Sequence, residues 1–242
     1  MRKFAIVLTS LASLGVAASA QAQGPSVGDA AAYVALSTTP VGAMTPIVTS
    51  AMLGRIAKGY SVTGQYGHLS DDAAGFNSFG AAISMPVSGL SLGGSLGYIA
   101  PSAQGASGNM MLGLNAETNL GAWALGAGKD ANLFTMSVRS DFGWANPDDG
   151  AGSNFTSLSL SAGAPFALVL KSGEMTWAPF VTPGFGWGRI SENSVSESGT
   201  RFMMGAGLGM THRNGWGVSV GMQKVFIDNG KTVFGLNLSY GK

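Results

Sequence analysis

The sequence predicts an all-β chain: an antiparallel up-and-down β-barrel that crosses a membrane with about ten strands, eight or twelve being the alternatives. Three observations predict this fold. Charged residues are scarce and glycine is abundant. No apolar run after the N-terminal region is long enough for a spanning helix. Ten segments alternate between apolar and small polar residues, which is the pattern of strands with two different faces.

The composition is unlike that of a soluble domain. Charged residues make up 10% of the 242 residues, against about 25% in typical soluble domains. Glycine accounts for 38 residues, more than twice its usual share of about 7%. A chain without a spanning helix satisfies its backbone in lipid only as a closed barrel. The net charge of +1 gives no support for a nucleic-acid partner, and without cysteine no disulfide can form.

Residues 1–22 have the order of features of a secretory signal peptide. Arg2 and Lys3 precede an apolar stretch at 4–18, and small residues then offer cleavage after Ala20 or Ala22, with Ala22 favoured. The predicted organisation is therefore a signal peptide at 1–22, a lead-in at 23–57 and a transmembrane barrel at 58–242.

The lead-in admits more than one structure. Thr45 before Pro46 is a helix-start pattern and Gly59 is a stop signal. This segment is either a short helix that plugs the lumen, a helix that lies in the periplasm, or an extended lead-in, and the residues do not decide between them.

The stretch "FTMSVRSDFGWA" at 134–145 shows the alternation clearly. One parity is apolar and aromatic, whereas the other carries Arg139 and Asp141. Because a strand sends alternate side chains to opposite faces, each such segment has one apolar face. The ten predicted strands are 60–69, 77–87, 90–100, 109–117, 134–145, 154–163, 175–188, 201–211, 216–226 and 232–240.

The polar faces of these strands indicate which side is the interior. They consist mostly of Gly, Ser, Thr and Asn, whereas an exposed soluble sheet would carry Lys, Glu and Arg. Small residues fit the inside of a narrow barrel, so the apolar faces meet lipid. Glu117, Arg139 and Asp141 share the inward parity and are predicted to form a charge cluster in the lumen.

Turns and aromatic residues agree with this arrangement. Longer loops alternate broadly with shorter turns, one of which is predicted within 163–174, and a bulge or an extended hairpin is predicted near Trp123 and Leu125. Aromatic residues at the strand ends predict two girdles at the membrane interfaces. The predicted girdle residues are Tyr60, Trp177, Trp216 and Tyr240 at the inner ends and Tyr98, Trp144 and Trp187 at the outer ends.

From about residue 58 to 242 the chain resembles the small outer-membrane β-barrel proteins of Gram-negative-type bacteria. The signal peptide, the alternating strands and the terminal "GLNLSY" carry the resemblance. It implies a location in the outer membrane, contact with outer-membrane lipids, and recognition by the barrel-assembly machinery of a signal that includes Gly235, Leu238 and Tyr240. Gly241 and Lys242 follow the final aromatic residue, where members of the family often stop.

Catalysis has little support in the sequence. Barrel enzymes carry His, Ser and Asp near the outer rim, and His68 is followed by "SDD" at 70–72, but no enzyme motif surrounds it. A solvated loop histidine is favoured there, and His212 reads as a turn residue. The "NPDDG" at 146–150 is not an EF-hand pattern and reads as solvated surface. The chain is therefore predicted to be no enzyme and to bind no metal and no cofactor.

Three functions stay open. The favoured one is a structural or surface-interaction role for a porin-like barrel with a largely closed polar lumen, with the acidic outer loops as a candidate surface for an extracellular ligand. The first alternative is a narrow passive channel for small solutes. The second is a lipid-handling barrel that opens sideways at Pro179 and Pro183, since two prolines of equal parity remove ladder donors toward the same neighbour.

Overall fold

The computed structural model describes residues 27–40, 59–70, 75–102, 107–127, 131–146, 156–192, 195–228 and 230–241. These ranges contain one helix and eleven strands. The elements are α1 (Val27–Thr38), β1 (Ser61–Leu69), β2 (Phe76–Val87), β3 (Leu90–Pro101), β4 (Asn109–Leu125), β5 (Asn132–Ala145), β6 (Thr156–Gly163), β7 (Phe166–Ser172), β8 (Met175–Glu192), β9 (Val195–His212), β10 (Trp216–Val225) and β11 (Thr232–Gly241).

The strands close into a single antiparallel barrel. Apart from β6 and β7, each strand pairs with its neighbour in sequence, and β1 pairs with β11 to close the ring, for example Gln65 with Asn237. Strands β6 and β7 lie end to end between β5 and β8 and pair with both. They form one spanning strand in two halves, so the barrel has ten spanning strands. The predicted fold class and strand number are confirmed.

The turn predicted within 163–174 is wrong in its extent. The strand continues as β7 after only Ala164 and Pro165, and the true turn lies at Gly173 and Glu174. Pro165 lacks an N–H, but its carbonyl accepts from the Ser137 N–H at 2.9 Å. The Ala164 N–H donates to the Pro183 carbonyl at 2.9 Å, so the ladder continues past the interruption.

The region near Trp123 and Leu125 has both predicted features. The register between β4 and β5 shifts between Asn119 and Gly121, and β4 then continues to Leu125 as an extended hairpin end. The shift returns Trp123 to the same outer surface as Phe134, with ring centroids 5.7 Å apart. A bulge changes which parity faces outward, which is why the alternation of this strand breaks in the sequence.

The barrel is apolar outside and polar inside. Its outward side chains are exposed and mostly apolar, while the buried inward ones are mainly small or polar. This is the arrangement of a barrel in lipid, and it confirms the predicted assignment of faces. Buried inward polar residues include Thr63, Gln65, Ser78, Glu117, Thr135, Ser137, Ser157, Ser159, Ser161, Ser219, Gln223 and Asn237.

Helix α1 lies in the lumen. It contacts β6, β8, β9 and β10 from the inside, and Ala31, Ala32, Ala35 and Leu36 are each no more than 1% exposed. The helix pattern predicted from Thr45 lies outside the described residues apart from its stop at Gly59, as does the signal peptide, so both stay predictions. The helix that the structure describes lies within the 23–57 lead-in, for which a plugging helix was one alternative, but it precedes the Thr45 pattern on which that alternative rests.

Candidate functional site: the occupied lumen

Small residues on both surfaces let α1 approach the barrel wall. The wall opposite the helix is a row of inward-facing glycines on β8. A β-carbon at Gly188 would lie 2.7 Å from the Ala32 carbonyl oxygen and 2.8 Å from Ala35 Cβ. One at Gly186 would meet Leu36 Cδ2 at 2.5 Å. All three distances are shorter than van der Waals contact. The helix backbone and Ala35 Cβ therefore require glycine at position 188, whereas a side chain at position 186 would displace that of Leu36.

The first turn of α1 is fixed at the loop end of the barrel, the end at which β1 finishes and β2 begins. Asp29 forms an ion pair with Arg201 of β9. The Tyr33 hydroxyl accepts a hydrogen bond of 3.1 Å from the backbone N–H of Lys231, which precedes β11. An acidic residue in the first helical turn is also favoured by the helix dipole. The Arg201 side chain is partly exposed and bound to the helix.

The last turn of α1 is held by threonines. The Thr38 hydroxyl donates to the Val34 carbonyl at 2.8 Å and the Thr39 hydroxyl to the Ala35 carbonyl at 2.9 Å. The Thr39 hydroxyl also lies 2.6 Å from that of Ser159 on β6. The serines that appeared in the sequence as small luminal residues thus attach the helix to the wall.

The predicted charged residues of the lumen lie together on β4 and β5. Arg139 Nη2 lies 2.6 Å from Asp141 Oδ1 and Arg139 Nε 2.8 Å from the same oxygen. Glu117 stands opposite Arg139 in the register of the two strands. It is 1% exposed and accepts a hydrogen bond of 2.6 Å from the Ser137 hydroxyl. Arg139 is therefore paired with the Asp141 carboxylate, and Glu117 lies opposite it on the neighbouring strand.

A cavity of about 60 Å³ with a mixed polar and apolar lining lies between Arg139 and Asp141 on one side and Pro40, next to the end of the helix, on the other. Among the described residues, two polar atoms of its lining, Gln65 Oε1 and Thr182 Oγ1, have no hydrogen-bond partner. A cavity of this size with polar atoms in its lining can hold several water molecules at roughly 10–15 Å³ each. Further lining residues are Pro40, Asn115, Arg139, Asp141, Ser161, Met203 and Gln223.

Phe180 fills the lumen toward the opposite end. It is the large aromatic residue on the inward face of β8 and is 6% exposed. Its Cζ would lie 2.7 Å from a β-carbon at Gly207 and 3.6 Å from one at Gly221. The glycines of β9 and β10 therefore make room for the ring, as those of β8 do for the helix. The sequence alone identifies no packing partner for either set of glycines.

The predicted girdle residues lie at the two ends of the barrel. Trp216 and Tyr240 pack with tilted rings at the terminal end, where β1 begins and β11 finishes, with centroids 5.0 Å apart. Tyr60 is 54% exposed and Trp177 39% exposed at the same end. Tyr98, Trp144 and Trp187 lie toward the loop end. Their role at the lipid–water interfaces stays a prediction.

The predicted assembly-signal residues all lie on the closing strand. Gly235 pairs with Gly67 of β1 and with Gly221 of β10, and Leu238 is 55% exposed on the outer surface. Tyr240 lies beside Trp216 at the terminal end. Recognition of this strand by the assembly machinery stays a prediction.

The two histidines have structural partners. His68 Nδ1 lies 3.0 Å from Asn77 Oδ1 on the outer surface. His212 Nε2 lies 3.1 Å from Glu174 Oε2 at an exposed turn. Asp71 and Asp72 lie outside the described residues, as does most of 146–150. Within the described part of the chain, no three His, Asp or Glu side chains are grouped as metal ligands.

The pairing between β8 and the β6–β7 strand is interrupted within β7, next to two prolines of β8. The Pro183 carbonyl faces this seam, and Pro179 has the same parity, so neither supplies a donor to it. The β7–β8 pairing includes Ala167 with Phe180 and then resumes only at Leu170 with Trp177. The β8–β9 seam, in contrast, is paired throughout from Met175 to Glu192.

Comparisons with solved structures return other barrels at low identity. The outer membrane enzyme PagL gives a TM-score of 0.39 at 13% identity, covering 75% of this chain and 99% of that one. The N-terminal β-barrel domain of Pseudomonas aeruginosa OprF gives 0.32 at 12% identity, covering 75% and 97%. Ail, the attachment invasion locus protein of Yersinia pestis, gives 0.29 at 14% identity, covering 75% and 95%. No family model and no curated protein matches the chain.

The class of the molecule follows from its own strand pairing and surface. A closed antiparallel barrel of ten spanning strands with an apolar exterior is an outer-membrane β-barrel protein. Its location is the bacterial outer membrane, where its outer surface contacts lipid. Within the described residues, no helix has the length and apolar character needed to cross a bilayer.

Proposed function

We propose that this protein is a closed outer-membrane barrel with a structural or surface-interaction role rather than a channel. The observation that carries the proposal is α1 inside the lumen, packed against glycines and fixed at both ends by Asp29 and Thr39. The Arg139–Asp141 pair and Phe180 form a second obstruction, farther from the loop end than α1. A barrel of about eight strands is filled by its own side chains, whereas sixteen or more leave an open channel, and ten is near the filled end.

Conductance of the purified protein in planar bilayers tests this proposal. A closed barrel gives no steady single-channel current, whereas a passive channel does. Because the chain contains no cysteine, a T39C/S159C pair can lock the helix to the wall, the two native hydroxyls being 2.6 Å apart. If the wild type conducts and the oxidised double variant conducts only after reduction, α1 is a gate and the channel function replaces the closed one.

The partner surface of a closed barrel would be at the loop end. Glu192, Glu197 and Asp228 are exposed there. Because these side chains are acidic, the surface favours a cationic extracellular ligand. Binding of the purified protein to a polycation and to a polyanion distinguishes this role from a purely structural one. The triple change of these residues to Gln or Asn should remove any preference for the polycation.

A lipid-handling barrel is the second candidate, and the proline seam is the specific observation that favours it. Lateral entry needs two strands to separate, and the pair β7–β8 has the interrupted ladder described above. Restoring the donors with P179A/P183A should strengthen this seam. If the wild type moves a labelled lipid between vesicles and P179A/P183A slows it, the lipid-handling function is supported. An unchanged rate would contradict it.

A further inference from the structure

The lipid-facing surface of the barrel carries very few charges, and they are of one sign. Among the described strand residues that face outward, the charged side chains apart from the two histidines are Arg189 of β8 and Lys224 of β10. Both lie near the loop end of their strands. No outward-facing strand residue in the described ranges is an Asp or a Glu.

Lys224 lies beside aromatic residues at the loop end, Phe202 and Phe226, which with Trp187 are called the aromatic belt here. It shares the outward parity of Val220 and Met222 and is partly exposed. Its Nζ lies 5.8 Å from the centroid of the Phe226 ring, and Phe226 lies 5.2 Å from Phe202. An apolar stem against aromatic rings with the ammonium at the interface is how a lysine reaches the headgroup layer.

Arg189 lies near the loop end of β8, two strands away from β10. It follows Trp187 by two residues, so both side chains lie on the outward face. Its guanidinium donates one hydrogen bond of 3.0 Å to the Ser196 hydroxyl. Among the described residues, neither Arg189 nor Lys224 forms an ion pair with a carboxylate.

We infer that Lys224 and Arg189 each bind the phosphate of an anionic lipid headgroup in the leaflet that the loop end meets. The aromatic belt below them contacts the acyl chains of the same lipid, and the cation contacts the headgroup. A charge placed against lipid is costly unless it reaches the interface or a counter-charge, and a basic residue near an anionic membrane surface gains about 1 kcal/mol. The protein itself supplies no counter-charge in the described structure, so the lipid supplies it.

Native mass spectrometry of the folded barrel tests this inference. The protein is released from micelles that contain equal amounts of phosphatidylglycerol and phosphatidylcholine, and the retained lipids are counted. The wild type should retain phosphatidylglycerol preferentially. Lys224→Gln and Arg189→Gln should each lower the ratio of retained anionic to zwitterionic lipid by about fivefold, which corresponds to about 1 kcal/mol per basic residue.

Two variants make the result specific. Lys171→Gln removes the same charge from an inward-parity residue near the terminal end, and it should leave the ratio unchanged. Lys224→Arg keeps the charge and should keep the preference. Excess inorganic phosphate should not displace the retained lipid, because the belt also holds the acyl chains.

Three outcomes would overturn the inference. One is a wild type without preference for the anionic lipid. Another is a Lys224→Gln, Arg189→Gln double variant with an unchanged preference. The third is displacement of the lipid by inorganic phosphate, which would make the two positions simple anion sites.

Discussion

At the scale of single residues, the stability of the barrel depends on charged side chains that are buried next to one another in the lumen. The side chains of Arg139 and Asp141 are 14% and 17% exposed, and Glu117 is 1% exposed. Removing one member of such a group leaves its partner unpaired away from water, which costs more than the pair itself contributes. The sequence predicts this grouping from parity alone, because residues of equal parity on neighbouring strands must point into the same lumen.

Arg139→Ala should therefore lower the free energy of unfolding by about 3 kcal/mol, in the range for one half of a buried ion pair. The R139A/D141A double variant should lose less than the sum of the two single losses, since neither partner is then stranded. Urea unfolding from lipid vesicles measures each value. Arg213→Ala is the control, because Arg213 is 69% exposed and its bond to Glu174 is a surface pair worth about 0.2–1 kcal/mol. Equal losses for Arg139→Ala and Arg213→Ala would show that Arg139 faces bulk water.

Gly188 gives the second prediction at this scale. In Gly188→Ala the new methyl group meets Ala32 and Ala35 at less than 3 Å, so α1 must move away from the wall. We expect a loss of stability of about 1–3 kcal/mol, typical of overpacking, together with faster cleavage of α1 by proteinase K. Gly94→Ala is the matched control, since its β-carbon would have no neighbour closer than 3.8 Å. Wild-type protection of α1 in Gly188→Ala would contradict the packing described above.

At the scale of elements, the strands are predictable, whereas the position of the helix within the lead-in is not. Strand faces follow from period-two alternation, which depends only on near neighbours in the chain. Helix α1 has twelve residues, mostly small, and an isolated helix of that length is marginal in water. Its stability comes from glycines at Gly186 and Gly188, which are about 150 residues away in sequence. The repeated glycines of "GFGWG" at 184–188 indicate close packing. The residues around them do not identify the element that packs there.

The junction between β6 and β7 shows a second limit of prediction from the sequence. Proline removes a ladder donor, and the predicted strand 154–163 accordingly ends just before Pro165. The flanking Ser137 and Ala164 bonds keep the ladder in place, and those bonds depend on neighbouring strands rather than on the residues near the proline. Tertiary pairing therefore overrides a local signal that is correct in itself.

Removal of 234–242 is the prediction that belongs to the scale of elements. The truncation takes away most of β11, which pairs with β1 and β10 at the same time. Two strand edges then lie open in lipid, where unpaired backbone groups each cost several kcal/mol. We expect loss of the compact form that resists SDS without heating, measured as its faster migration on unheated gels. Folding of the truncated chain to that form would show that closure does not need β11.

At the scale of the whole molecule, the obstructions lie in series along one lumen. Helix α1 occupies the loop end, the cavity follows, and the Arg139–Asp141 pair with Phe180 lies beyond it. A path through the barrel would have to pass both levels. Stability without any disulfide is consistent with this filling, because the lumen is packed by side chains and by the helix.

Two obstructions in series predict that removing either one alone leaves the barrel closed. Deletion of 27–38 should leave conductance near zero, because the lower level remains, and R139A/D141A should do the same, because α1 remains. The combination should conduct, since α1 and the charge pair are then removed and only Phe180 of the lower level remains. Planar-bilayer recordings of the four proteins, each checked for the heat-modifiable folded form, measure this. If deletion of 27–38 alone conducts as well as the combination, α1 is the only barrier and the charge cluster serves stability. If the combination stays silent, Phe180 closes the lumen by itself, and adding Phe180→Ala should then open it.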